Sequence, residues 1–243
     1  MYAESRLPHG TALWRSVRST GGATVAADGC VDLIVREDRA YVAGPSTRAI
    51  VTASDGSGGS LGLRLPPGRA GELFGAQLSE LADEFLPLDQ LAGGEHTAQL
   101  SATLRRLATQ RNTPSVSATE SASRVADHVA DQVAKFATEL AASSAWAEAV
   151  RRSAVAAEPA RSAAARLAGS ERSFRRRMLS TFGYGYATLV RLERARHART
   201  LLLRGSSVGD AAATAGFADQ PHLSREFQRL VGMSPGQFAA SSA

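Results

Sequence analysis

The sequence predicts an α+β N-terminal domain, a short antiparallel β-rich part plus helices, followed by an all-α domain with two helix-turn-helix units joined by a long helix. Three observations carry this. Short alternating or β-branched runs, punctuated by Gly, Pro, Asp and Ser, fill residues 11–75. Apolar positions at steps of three and four take over from residue 66. Residues 163–183 (AAARLAGSERSFRRRMLSTFG) and 212–232 (AATAGFADQPHLSREFQRLVG) then repeat one pattern. In each, a small-residue helix reaches a tight turn, and a polar helix with inward hydrophobics ends at glycine.

In the N-terminal part the runs TALWRSVRS, CVDLIVRED, RAYVAG, RAIVTAS and GSLGLRL read as strands. Asp28-Gly29, Glu37-Asp38, Gly44-Pro45 and Asp55–Gly59 read as the turns, with SDGSGGS at 54–60 as a hairpin loop. Val31, Leu33 and Val35, like Leu61, Leu63 and Leu65, form one apolar face per strand. Asp28, Asp32, Asp38 and Arg36 read as solvated loop charges. Trp14 and Phe74 are candidates to line a small apolar pocket, although core packing explains them equally well.

From Pro66 the spacing predicts a helix with Leu73, Phe74, Leu78, Leu81 and Phe85 inward, continuing to Leu100, Leu104 and Leu107. Residues 109–119 read as a loop or linker. A helix over 121–141 follows, carrying Val125, Val129, Val133, Phe136 and Leu140. Two readings of it stand: packing on its own domain, or a dimer seam. Another helix covers 144–156, anchored by Trp146, Val150 and Val155, and Pro159 breaks the chain before the repeat. The expected domains are 1–107 (regulatory, effector-binding or dimerising), 108–143 (linker and connecting helix) and 144–243 (the two helix-turn-helix units).

Each repeat unit supplies small residues where helices cross: Ala164 and Ala168 before Gly169, and Ala212 with Gly216. Ser170 and Asp219 are the expected N-caps, with Pro221 in the first turn. The buried faces are Phe174, Met178 and Phe182 in the first unit, and Leu223, Phe227 and Leu230/Val231 in the second. What remains outward is Arg172, Ser173, Arg175 and Arg176 on one helix, and Gln220, His222, Ser224 and Arg225 on the other. Arginine bonds guanine O6 and N7 in a bidentate manner, and glutamine does likewise with adenine. Arg177 is assigned either to a phosphate or to another helix. From Ala168 to Phe174 is six positions and from Gly216 to Leu223 seven, so the second turn is read as one residue longer. Between the units, Tyr186 to Arg204 reads as a helix with Leu189, Leu192, Ala195, Ala198 and Leu202 buried.

Composition bounds the function. The 243 residues, 44% hydrophobic and 21% charged, suit one large or two ordinary globular domains. No apolar run approaches the ~18–20 residues that span a bilayer. The start, MYAESRLPHGTALWRS, lacks a basic segment followed by an apolar core, so the cytoplasm is the expected location. Cys30 is the one cysteine, which excludes an intrachain disulfide; its place beside a strand points to a buried, inert thiol, with redox or electrophile sensing as the alternative. The histidines show no metal-ligand spacing, and no nucleophile–base pair or phosphate loop occurs. No catalytic residue, cofactor or metal is therefore expected. Charge is divided unequally: residues 151–243 hold 15 arginines against six acids, a net of +9, while residues 1–150 carry a net of −4. The basic half suits a polyanion, through counterion release.

The segment LVRLERARHARTLLLRGSSVGDAAATAGFADQPHLSREFQRLVGMSP resembles the DNA-binding domain of AraC/XylS-type transcription regulators. The matching positions are Ala212, Gly216-Phe217, Asp219-Gln220, His222, Arg225, Phe227, Gly232 and Ser234-Pro235. Over residues ~144–243 the resemblance implies about seven helices, with base contacts from Arg172, Arg175, Arg176, Gln220, His222, Ser224 and Arg225. The runs ADGCVDLIV, YVAGPSTRAIVT and GSLGLRLPPG resemble the short β-rich N-terminal region of an actinobacterial-looking subset. In that family the N-terminal half binds an effector, dimerises, or both. The expected function is sequence-specific transcription regulation. Double-stranded promoter or operator DNA is the expected partner, RNA polymerase and a small-molecule effector are further candidates, and the chain is expected as a homodimer or monomer. Two other classes remain: a sequence-nonspecific chromosome-associated protein, and an enzyme domain fused to a DNA anchor.

Overall fold

The computed structural model describes residues 2–7, 10–16, 22–36, 39–52, 59–91, 102 and 145–241. Its strands, in chain order, are β1 (Tyr2–Arg6), β2 (Ala12–Ser16), β3 (Ala23–Val25), β4 (Val31–Arg36), β5 (Arg39–Ala43), β6 (Ile50–Thr52), β7 (Ser60–Leu65) and β8 (Phe85–Pro87). Six of them make one antiparallel sheet in the order β1-β2-β7-β4-β5-β8, and β3 pairs with β6 apart from it. The register sets Leu63 opposite both Leu13 and Leu33, and Leu33 opposite Val42. Because side chains alternate along a strand, this register gathers Val31, Leu33, Val35, Ala40, Val42, Leu63 and Leu65 on one face. Phe74, Leu78, Leu81 and Leu88 close over that face as a core.

The five expected strands form, and three further ones (β1, β3, β8) join them. β1 is exposed along its whole length, so it carries no alternation for a sequence reading to detect. The strands on either side of the hairpin loop expected at 54–60 do not pair with each other. β6 pairs with β3, whereas β7 pairs with β2 and β4. Residues 53–58 themselves lie outside the described residues.

The helix expected from Pro66 to Phe85 is cut short. α1 (Gly71–Phe74) makes one turn, a tighter helical turn covers Gly75–Ser79, and Asp83 adopts a left-handed backbone at φ 63°. The Asp83 carboxylate accepts the Thr47 N–H and hydroxyl, each at 2.6 Å, which holds that break in place. Phe85 then extends in β8 against the edge of β5, stacked on Tyr41 with centroids 5.0 Å apart. Pairing an open sheet edge outweighs one more helical turn here. The expected elements through Leu100, Leu104 and Leu107, the linker at 109–119 and the helix over 121–141 lie outside the described residues.

The C-terminal part is all helical: α2 (Ala145–Val155), α3 (Ala160–Ala168), α4 (Glu171–Phe182), α5 (Tyr186–Leu203), α6 (Val208–Thr214), α7 (Gln220–Val231) and α8 (Pro235–Ser241). In α2, Val150 is buried as expected but Val155 is 61% exposed. Five residues along a helix is about 140° from the starting face, so Ala147 and Ala154 complete the buried side instead.

In α5 all five expected positions (Leu189, Leu192, Ala195, Ala198, Leu202) are buried. They do not form a straight stripe. Each step of three turns a position back by about 60°, so Leu189 and Ala198 stand roughly half a turn apart. One end of the helix therefore buries toward the first unit, and the other end buries its opposite side into the second.

The N-terminal part packs on the helical part through close backbone approach by the segments between its strands. Ala27 N–H donates to Leu230 O at 2.7 Å, Ala49 N–H to Arg229 O at 2.9 Å, and the buried Tyr184 hydroxyl to Gly29 O at 3.4 Å. Gly183, at φ 78°, ends α4 where a Cβ would stand 2.7 Å from Leu78 O and the Pro45 ring. Segments between the strands thus touch the C-terminal ends of α4 and α7.

Candidate nucleic-acid interface

α3 and α4 form the first helix-turn-helix unit. Ser170 caps α4, its hydroxyl accepting the Ser173 N–H at 3.1 Å. Phe174, Met178 and Phe182 are buried, with Trp146 edge-on to Phe174. This pins one side of α4 and turns Arg172, Arg175 and Arg176 to solvent, with Ser173 half-buried. Arg177 lies over the Trp146 ring, 4.3 Å from its centroid, which settles its assignment to another helix. An open groove of about 1030 Å³ runs along α4, lined by Arg161, Arg172, Arg175 and Arg176 with Glu171 as the carboxylate. Sequence reading missed Arg161. It sits on α3, ahead of the repeat, and pairs with Glu171 at 3.7 Å.

α6 and α7 form the second unit. Asp219 caps α7, accepting the His222 N–H at 2.6 Å, and Leu223, Phe227, Leu230 and Val231 are buried. Gln220 and Arg225 are exposed, while His222 and Ser224 are half-buried. The His222 ring meets Phe217 edge-on at 5.4 Å, and its Nδ1 accepts the Ala218 N–H at 3.4 Å, so it also braces the turn. Among the described residues, no carboxylate pairs with Arg172, Arg175, Arg176 or Arg225. Two residues separate the helices of the first unit and five those of the second, from Ala215 to Asp219. The second turn is longer by three, not one, because Gly216 reverses the chain at φ 80° while Ala215 and Phe217 turn inward.

A second polar cluster occupies the sheet face opposite the core and corrects the reading of Asp32 as a solvated loop charge. Asp32 sits mid-strand in β4. Its carboxylate accepts the Trp14 indole N–H at 2.6 Å and the Arg64 Nε–H at 3.2 Å. Glu4 and Asp28 each lie 3.8 Å from Arg64 Nη1. Burial pushes Asp32 above the ordinary carboxylate range, against the pull of Arg64 and the Trp14 hydrogen bond. Burial and the nearby Asp28 and Asp32 also push the Cys30 thiol well up, which disfavours the reactive thiolate. Trp14 covers Gly62 on this face, whereas Phe74 belongs to the core on the other, so the two do not line one pocket. No cluster of three or more His, Cys, Asp or Glu among the described residues could hold a metal. Among the described residues, no helix is long and apolar enough to cross a membrane.

Residues 163–241 match a family described as a helix-turn-helix domain, and residues 12–87 match a domain of unknown function, DUF6597. No curated protein matches the chain. Among solved structures, a single-substitution variant of apo ToxT from Vibrio cholerae is similar at 12% identity over 98% of this chain and 100% of that one, with a TM-score of 0.42. ToxT from the same organism bound to a methylnaphthalenyl butenoic acid is similar at 11% identity over 100% and 98%, with a TM-score of 0.41. Likeness at that level assigns no role to any residue. The two family matches, with the observed elements, give a chain that joins a β-rich N-terminal part to a C-terminal helix-turn-helix domain.

Proposed function

We propose that this protein is a sequence-specific DNA-binding transcription regulator of AraC/XylS type. Its DNA-binding domain spans 144–243, residues 108–143 connect, and 1–107 sense an effector or dimerise. The observation that carries the reading is the pair of capped helices, α4 and α7, each buried on one side and presenting unpaired arginine on the other. Arg172, Ser173, Arg175 and Arg176 form the first reading surface, and Gln220, His222, Ser224 and Arg225 the second. The 18 residues of α5 span about 27 Å, close to the ~34 Å turn of B-DNA, which suits entry of both helices into successive major grooves. The arginine-dense first helix suits guanines and phosphates; the mixed second helix suits discrimination among bases.

A regulatory role for the N-terminal part is supported by its contacts. It touches the C-terminal ends of both α4 and α7, so a ligand with unequal affinity for two arrangements of the sheet would bias the spacing of the reading helices. The AraC/XylS reading and its actinobacterial-looking subset rest on the sequence runs quoted above.

The test is selection of a duplex from a random pool, followed by competition between the selected and a scrambled duplex. Arg176→Ala and Arg225→Ala should each cut the preference by about 1–3 kcal/mol, roughly fivefold to 150-fold. Both positions are exposed, so melting temperature should hold. Equal binding of parent and variants to both duplexes would overturn the reading in favour of sequence-nonspecific binding.

A further inference from the structure

The arginines of α5 are not equivalent. Arg196 donates to the buried Glu193, which also pairs with Arg151 at 3.5 Å. Arg199, whose Nε is buried without a hydrogen bond, lies over the Phe238 ring, 5.5 Å from its centroid. Arg191 and Arg194 have no such partner. Their Nε atoms are buried without a hydrogen bond, and no carboxylate among the described residues pairs with either. The Arg191 Nη2 reaches only the Thr188 hydroxyl, at 3.1 Å. Both stems are therefore packed, while the positive charge is left without a counter-charge.

Their place on the helix is as distinctive. Ala187, Arg191 and Arg194 follow the i, i+4, i+7 spacing that keeps residues on one face. Ala187 lines the same groove as Arg172, Arg175 and Arg176. At the other end Arg194 lies against the turn of the second unit, where a Cβ on Gly216 would stand 3.4 Å from its Nε. The row thus runs from one reading surface to the turn that leads into the other. The sheet is elsewhere: Gly29 packs beside Leu192, about 160° round the helix from Arg194.

We infer that Arg191 and Arg194 form a phosphate clamp, gripping the DNA backbone between the two grooves that α4 and α7 enter. This rests on the DNA-reading assignment and deepens it. A guanidinium on a packed stem loses little freedom on binding, and its planar fork matches two phosphate oxygens. The clamp fixes register without reading sequence.

The test uses the full chain and a random-sequence duplex pool, with affinity measured across a salt series. Arg191→Gln and Arg194→Gln should each lower the log–log salt slope by about 0.9, and the double variant by about twice that. Affinity should fall by the same factor on selected and scrambled duplexes. Arg196→Gln removes the same charge from the same helix and should leave the slope unchanged. Arg194→Lys should preserve the slope, which keeps the test decisive if Gln at 194 unfolds the helices. An unchanged slope in Arg191→Gln and Arg194→Gln, while Arg176→Ala still loses discrimination, overturns the clamp and leaves the reading intact. An equal drop in Arg196→Gln overturns it as a mere net-charge effect. A parent that binds no duplex removes both.

Discussion

A charged residue here is defined by what its neighbours leave it. Asp32 and Arg64 sit mid-strand with side chains 14% and 24% exposed, and each holds the other in its charged form. Replacing Arg64 with Met would strand Asp32 among Leu- and Val-rich strands with only the Trp14 N–H for support. At neutral pH the loss should be up to about 3 kcal/mol, the low end for breaking a buried pair, since Arg64 keeps partial contact with water. The sign with pH follows from linkage. Asp32 already titrates above its unfolded value of 3.8, and losing Arg64 raises it further. The folded state then binds the proton more tightly, so the variant's deficit should shrink as pH falls through that raised pKa. Denaturant melts of parent and variant from pH 7 to pH 4 check this, and a constant deficit would refute it. Arg172, Arg175, Arg176 and Arg225 lie at the other extreme, with charge held outward for a partner.

At the scale of elements, capping and periodicity do most of the work. The Ser170 hydroxyl satisfies one of the orphan N–H groups at the start of α4. Ser170→Ala should cost about 1 kcal/mol and lower the melting temperature. It should also weaken binding to a selected duplex, because the first turn of α4 carries Arg172. A variant with parental stability would show that the turn is held by packing alone. α5 shows how a single helix serves two units, through apolar steps of three that carry burial from one side to the other. Straight amphipathic counting finds the residues but not that rotation. β8 teaches the converse: Phe85 continues a helical spacing in sequence, yet the open edge of β5 claims it.

For the molecule as a whole, the decisive feature is how the N-terminal part meets the C-terminal helices. Gly71 opens α1 where a Cβ would lie 2.7 Å from Thr181 Cα and 2.8 Å from Ser180 O, both in α4. Gly71→Ala adds one methyl group and no backbone strain, so it probes this contact alone. Forcing the surfaces apart should cost about 1–3 kcal/mol. The faster amide exchange should appear at residues 71–79 and 180–184 together, while the α7 cap at Asp219 stays protected. Exchange confined to α1 would show that the two parts do not hold one another.

The sequence by itself determined the helix-turn-helix repeat, its caps and its buried faces, because those depend on spacing within a dozen residues. It also determined the central strands, through alternation, and the uneven charge of the two halves. Only the tertiary structure decided what pairs with what. It set β6 on β3 and not on β7, drew Asp32 from a supposed loop into an ion pair with Arg64 32 positions away, and separated Arg191 and Arg194 from Arg196. The reason is physical. Local pattern fixes which side of an element is apolar, but the partner of a strand edge or a charge is set by which distant segment reaches it.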